Sequence, residues 1–220
     1  MKYGQAEIIG HRGAAGLAPE NSRAAFDAAI KYGLRWVETD IRRSADGVFV
    51  IWHDAFINGY RIRTTDFETL YEVSGQTLLH LDNLLDSFVG KIQFNFDIKD
   101  PDVLPNVIQE LRKRELHKNC LISSFHHRAM IEGKSLNMDM RFAPIIASRP
   151  ASITSFLAWF AQMELIVTDS DFTDVEMVRE IRSLGYEIYL YNVHSTEAVQ
   201  PLLEAGVTGI IVDRPDIFGA

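Results

Sequence analysis

The residues that could do chemistry cluster early in the chain: His11, Arg12, Glu38, Asp40, His53, Asp97 and Lys99. Glu38 and Asp40 stand two apart within Trp-Val-Glu-Thr-Asp-Ile-Arg-Arg, so on a strand both point to the same face. Asp97 and Lys99 repeat that spacing, which points to a shared inward direction. Three converging carboxylates cannot all stay ionised in one site without a compensating cation. Ligation by oxygen alone is hard, so one divalent cation, Mg²⁺ or Ca²⁺, is the expected cofactor. Arg12 and Lys99 add fixed positive charge, and a cation with an arginine and a lysine suits a phosphate oxyanion. Two histidines beside such a phosphate could serve as general acid and base, because their ordinary pKa lies near working pH. The chemistry this describes is phosphodiester cleavage.

Those side chains need strands to carry them. Short apolar runs alternate with stretches of helical period: Glu-Ile-Ile-Gly, a helix from about residue 21 to 32, then Trp-Val-Glu-Thr-Asp-Ile-Arg-Arg. Later runs are Ile-Gln-Phe-Asn-Phe-Asp-Ile-Lys, Cys-Leu-Ile-Ser, Arg-Phe-Ala-Pro-Ile-Ile, Leu-Ile-Val-Thr, Glu-Ile-Tyr-Leu-Tyr-Asn and Gly-Ile-Ile-Val. Strand, helix, strand at this spacing means βαβ units and a parallel sheet. Val-Phe-Val-Ile-Trp-His-Asp follows the second run by only a few residues around Asp46-Gly47. A parallel crossover needs a dozen or more, so this pair is an antiparallel hairpin. With the turn there, Asp40 lies opposite Trp52 and His53 falls beside the carboxylates. Removing the hairpin arm leaves eight parallel strands with seven intervening helices, a (β/α)₈ TIM barrel of class α/β. An open doubly wound sheet is the alternative, but the first turn lacks the glycine-rich pattern that would favour it.

The bulk properties narrow the class further. With 22 basic and 30 acidic residues the net charge is −8, and without a Lys/Arg run this argues against a nucleic-acid partner. No stretch approaches ~18 uninterrupted apolar residues, so no integral membrane segment is expected. The opening residues hold no extended apolar region, which points to a cytoplasmic protein. The single Cys120 can form neither an internal disulfide nor a thiolate metal cluster. One domain over residues 1–220 is the reading, with a polar, irregular insertion at about 55–79. Asp213 reads as an anchor for the chain after the last strand. No helix is evident after Val212, and the short tail leaves the seam between last and first strands thinly covered, so a homo-oligomer through that seam is expected.

The chain resembles the glycerophosphodiester phosphodiesterase family. The likeness rests on His11-Arg12-Gly13, Pro19-Glu20-Asn21-Ser22, Glu38-Thr39-Asp40, His53-Asp54, Asp97-Ile98-Lys99 and Gly209-Ile210-Ile211-Val212-Asp213-Arg214-Pro215, in the family's order across nearly the whole chain. It implies a TIM barrel that hydrolyses glycerophosphodiesters to glycerol 3-phosphate and an alcohol, with a divalent cation. By the same resemblance His11 and His53 match the acid/base pair, Glu38, Asp40 and Asp97 the metal ligands, and Arg12 and Lys99 the phosphate contacts. Glu20 and Asn21 match residues behind these, and Tyr191 stands where the family has a tryptophan against the glycerol. The implied route is attack by the glycerol 2-hydroxyl to give a cyclic phosphate that water opens. Asp97 replaces the family's usual glutamate, and the insertion after His53-Asp54 is shorter than usual. A shorter insertion and Tyr191 would also admit a lysophospholipid or another phosphodiester. A non-catalytic binding barrel is the third reading.

Overall fold

The computed structural model describes residues 1–219. Eight parallel strands carry the architecture: β1 (Ala6–Gly10), β2 (Trp36–Arg43), β3 (Gln93–Ile98), β4 (Cys120–Ser124), β5 (Arg141–Ile146), β6 (Leu165–Asp169), β7 (Glu187–Tyr191) and β8 (Gly209–Val212). Each pairs with the next, and β8 pairs with β1 from Gly209↔Glu7 to Val212↔Gly10, so the sheet closes into the expected TIM barrel. The strands are nearly continuous apolar runs because both of their faces are covered.

The helices are α1 (Arg23–Lys31), α2 (Phe67–Val73), α3 (Leu81–Phe88), α4 (Leu104–Lys113), α5 (His127–Leu136), α6 (Ile153–Leu157), α7 (Val175–Ser183) and α8 (Thr196–Ala205). Side chains start several of them: Ser22, Asp66, Asp174 and Ser195 each accept a backbone N–H of the first turn. Seven helices fill the crossovers, and α2 lies inside the insertion. None among the described residues is long and apolar enough to cross a membrane.

The barrel interior is divided. Around β4 to β8 it is apolar, with Leu121, Ala143, Ile145, Leu165, Val167 and Ile211 packed together with Ile9. Around β2 and β3, reaching Ser123 of β4, it is polar: Glu38, Asp40, Asn95, Asp97 and Ser123 are all buried. The parallel register sets Glu38 beside Asn95 and Asp40 beside Asp97 on adjoining strands. Buried carboxylates in a row would be costly in a core. Here they lie at the C-terminal ends of the strands, where such barrels place their chemistry.

The hairpin arm is Phe49–Ile51, antiparallel to β2 with Ile41↔Ile51, and Trp52 donates its backbone N–H to the Asp40 carbonyl at 3.2 Å. Asp40 thus faces Trp52, the register read from the turn. The segment after it is ordered where the sequence read as irregular. Phe56–Ile57 pairs with Tyr60–Arg61, α2 follows, and Leu79–His80 returns to the arm. Strands of two residues are too short to show a period of two, which is why patterning missed them. Val50, Ile57, Ile62, Leu70 and Leu78 make a small core there, each buried side chain contributing about 1.5–3 kcal/mol.

The tail covers more than its length implies. A single 3₁₀ turn, Pro215–Ile217, follows β8, and Phe218 is buried edge-on to Tyr3 with ring centres 5.6 Å apart. Lys2–Tyr3 pairs with the start of β1 and completes that patch, while Ile217 stays exposed.

Candidate active site

All seven residues first singled out line one cavity of about 190 Å³ at the C-terminal ends of the strands, and Tyr191 lines it too. A roomier hollow of about 440 Å³ lies at the opposite end of the barrel. Neither a carboxylate nor a histidine lines it, so size does not mark the site here; the convergent ionisable groups do.

His11 and Arg12 leave β1 on a sharp turn. A Cβ at Gly10 would lie 1.9 Å from the Gly13 carbonyl oxygen, so the chain can fold back only over glycine. Arg12 itself has φ of 48°, a left-handed conformation that a non-glycine residue adopts at some cost. The turn aims the Arg12 backbone N–H at Glu38 Oε2, 3.0 Å away, and its guanidinium at Glu20 (2.8 Å) and Asp40 (3.5 Å). Asn21, also left-handed at φ 54°, donates from Nδ2 to Asp40 Oδ2 at 2.8 Å and accepts from Thr39 Oγ1. Glu20 and Asn21 therefore stand behind Arg12 and Asp40.

Glu38, Asp40 and Asp97 each offer an oxygen, and the three oxygens lie within 4.8 Å of one another. Lys99 Nζ reaches into the same cluster, 2.5 Å from Asp97 Oδ2 and 3.0 Å from Asp40 Oδ1. One ammonium does not complete the set: Asp97 Oδ1 is buried with no hydrogen-bond partner among the described residues, and Asp40 Oδ1 is misaligned for one. Burial, with the Asp40 charge beside it, pushes Glu38 up to about 8. Burial and Asp40 also raise Asp97 despite Lys99. Asp40 is held low: burial acts to raise it, but Lys99, Arg12 and the Asn21 hydrogen bond outweigh that. An all-oxygen set with orphaned oxygens fits a hard divalent cation, which would also reverse the upward push on Glu38.

His11 Nδ1 lies 2.7 Å from Asp213 Oδ1, and Nε2 faces Glu38 at 3.9 Å, too long for a hydrogen bond. Asp213, read from the sequence only as an anchor for the chain, is the hydrogen-bond partner of His11. Pairing of Val212 with Gly10 sets Asp213 opposite His11 across the closing seam. The parity of the last strand against the first was the available signal. His53, on the hairpin arm, pairs with Asp54 at 2.8 Å, and Arg42 Nε donates to its carbonyl at 2.8 Å. Tyr191 stands edge-on to Phe125, 6.1 Å between ring centres, on the apolar side of the mouth. Burial, and then Asp169 beside it, raises the Tyr191 phenol.

The profile of the glycerophosphoryl diester phosphodiesterase family matches residues 11–85 and 59–217. The chain belongs to that family. The matched residues include every one that lines the cavity. A glycerophosphodiester phosphodiesterase from Bacillus subtilis is 26% identical over 255 residues, covering 96% of this chain and 84% of its own. The fold is shared with the glycerophosphodiester phosphodiesterase of Thermotoga maritima (TM-score 0.86, 24% identity, 99% of this chain and 98% of that one). It is shared as well with an Oleispira antarctica phosphodiesterase solved with its product sn-glycerol-3-phosphate (TM-score 0.83, 22% identity, 95% and 93% covered).

Proposed function

We propose that this family member hydrolyses glycerophosphodiesters to glycerol 3-phosphate and an alcohol, with His11 and His53 moving the protons and Glu38, Asp40 and Asp97 holding one divalent cation, Mg²⁺ or Ca²⁺. The observation that carries this reading is a single cavity lined by two histidines, three carboxylates, an arginine and a lysine. When bound, the cation supplies positive charge against the phosphate oxygens. Arg12, braced by Glu20, and Lys99 hold the remaining anionic oxygens.

With Nδ1 committed to Asp213, His11 presents Nε2 to the cavity as its working atom. Burial alone would lower its pKa, but the Asp213 hydrogen bond and the Glu38 charge raise it, which favours the protonated ring. His11 therefore gives the proton to the departing alcohol oxygen, and His53 takes the proton of the attacking hydroxyl. In the second half of the reaction the two exchange roles as water opens the cyclic phosphate.

The test is turnover of glycerophosphocholine, glycerophosphoethanolamine and lysophospholipids with and without EDTA. Release of glycerol 3-phosphate that EDTA abolishes and Mg²⁺ or Ca²⁺ restores is the expected result. Turnover indifferent to EDTA removes the cation, and no turnover of any glycerophosphodiester removes the substrate. A lysophospholipid is the second reading, favoured by Phe125 and Phe172, which stay exposed on the catalytic face. A cytoplasmic setting suits the lone free thiol of Cys120. Association of two copies past the exposed Ile217 is read by light scattering, a monomer throughout removing it.

A further inference from the structure

Beside the carboxylates, with Asn95 next to Glu38 and Ser123 next to Asp97 on adjoining strands, the cavity has a second polar patch that the mechanism does not use. Asn95 on β3 and Ser123 on β4 are 1% and 0% exposed, and both line the cavity. Ser123 Oγ donates to Asn95 Oδ1 at 2.8 Å, which fixes the carboxamide plane. That leaves Asn95 Nδ2 a buried donor with no partner among the described residues, and Ser123 Oγ with lone pairs to accept. Across the cavity stand Ile145, Val167 and Ile211. A phosphate oxygen only accepts and a cation wants only acceptors, whereas an alcohol both donates and accepts. One donor and one acceptor, facing an apolar wall, suit a hydroxyl on a short carbon chain.

We propose that Asn95 and Ser123 bind the glycerol hydroxyl furthest from the phosphate, and so select a three-carbon polyol over a shorter or deoxygenated one. The inference rests on the glycerophosphodiester reading. Asn95 precedes Asp97 by two residues on the same face, a depth of about 6–7 Å along the strand. The phosphate sits at the level of Arg12, Asp97 and Lys99, and a three-carbon chain pointing inward reaches the amide. A substrate without that hydroxyl leaves the buried donor unmet, which is how a polar pocket rejects an analogue.

The test is calorimetric binding of sn-glycerol 3-phosphate and of propane-1,2-diol 1-phosphate, which lacks the terminal hydroxyl, with the divalent cation present. The wild-type protein should prefer the triol phosphate by about tenfold or more. Asn95→Ala and Ser123→Ala should each cut that preference toward one and leave affinity for the deoxy ligand unchanged. Circular dichroism checks folding, and Ser123→Ala decides alone if Asn95→Ala is unfolded. An equal wild-type affinity for the two ligands overturns the inference. So does a preference that survives substitution, or an equal loss for both ligands, which would put the amide in service of the phosphate or carboxylates. The ratio is read without turnover, so it stands or falls separately from the substrate panel.

Discussion

At His11, burial works against protonation while Asp213 and Glu38 work for it, and the two carboxylates prevail. Replacing Asp213 by Asn takes away a raising influence, so the His11 limb of the kcat/KM–pH profile should move to lower pH. The turnover loss should be roughly 10–100-fold, against about 10²–10⁴-fold for His11→Ala; an unshifted limb would show that Asp213 does not act through the histidine. Cys120 makes a second residue-level prediction. Burial pushes its thiol up to about 12, so iodoacetamide at pH 8 should label the unfolded chain and spare the native one. Mass spectrometry reads the difference. Most of the side chains on the polar side of the cavity were legible in the sequence because a two-residue spacing of carboxylates has little other use on a buried strand. Asn95 and Ser123 were not, since a buried amide and hydroxyl look like ordinary strand residues until their unmet bonds can be counted.

Among the elements, the hairpin arm and its insertion carry His53 on a partly independent unit. Its own core includes Leu70, fully buried, and ion pairs reinforce the strand pairing and the Ile51 contact that attach it to the barrel. Arg63 meets Asp102, Arg43 meets the same carboxylate at 3.0 Å, and Arg42 bridges Asp100 and the His53 carbonyl. Leu70→Ala should cost that unit about 2–5 kcal/mol and open it locally, so limited proteolysis between residues 55 and 77 should quicken before the barrel unfolds. Uniform loss of stability without faster cleavage would make the insertion one cooperative unit with the barrel. The Arg63 hydrogen bond holds Asp102 below its ordinary pKa. Its support is therefore complete above the unfolded value near about 4 and fades as pH drops below that. The same proteolysis should accelerate there, less so in Arg63→Ala, which has already lost the contact. The arm's register was readable from a turn and a count, whereas the insertion hid its strands by their brevity.

For the whole molecule, eight strands could be counted because apolar runs buried on both faces stand out from amphipathic helices. The closing of that count into a ring is a matter of pairing, visible only in the β8–β1 register. The tail belongs to this scale. Phe218→Ala should lower stability by about 3–5 kcal/mol, seen as a fall of several degrees or more in Tm with activity per folded molecule retained. A Tm unchanged by the substitution would mean that Phe218 adds nothing to the seam. The ring also sets an order on synthesis. A growing chain has carried both histidines, all three carboxylates, Arg12 and Lys99 once residue 99 is made, yet Asp213, the partner of His11, arrives 202 residues after it. Until the last strand docks against the first, the early half holds the reagents but not the hydrogen bond that orients one of them.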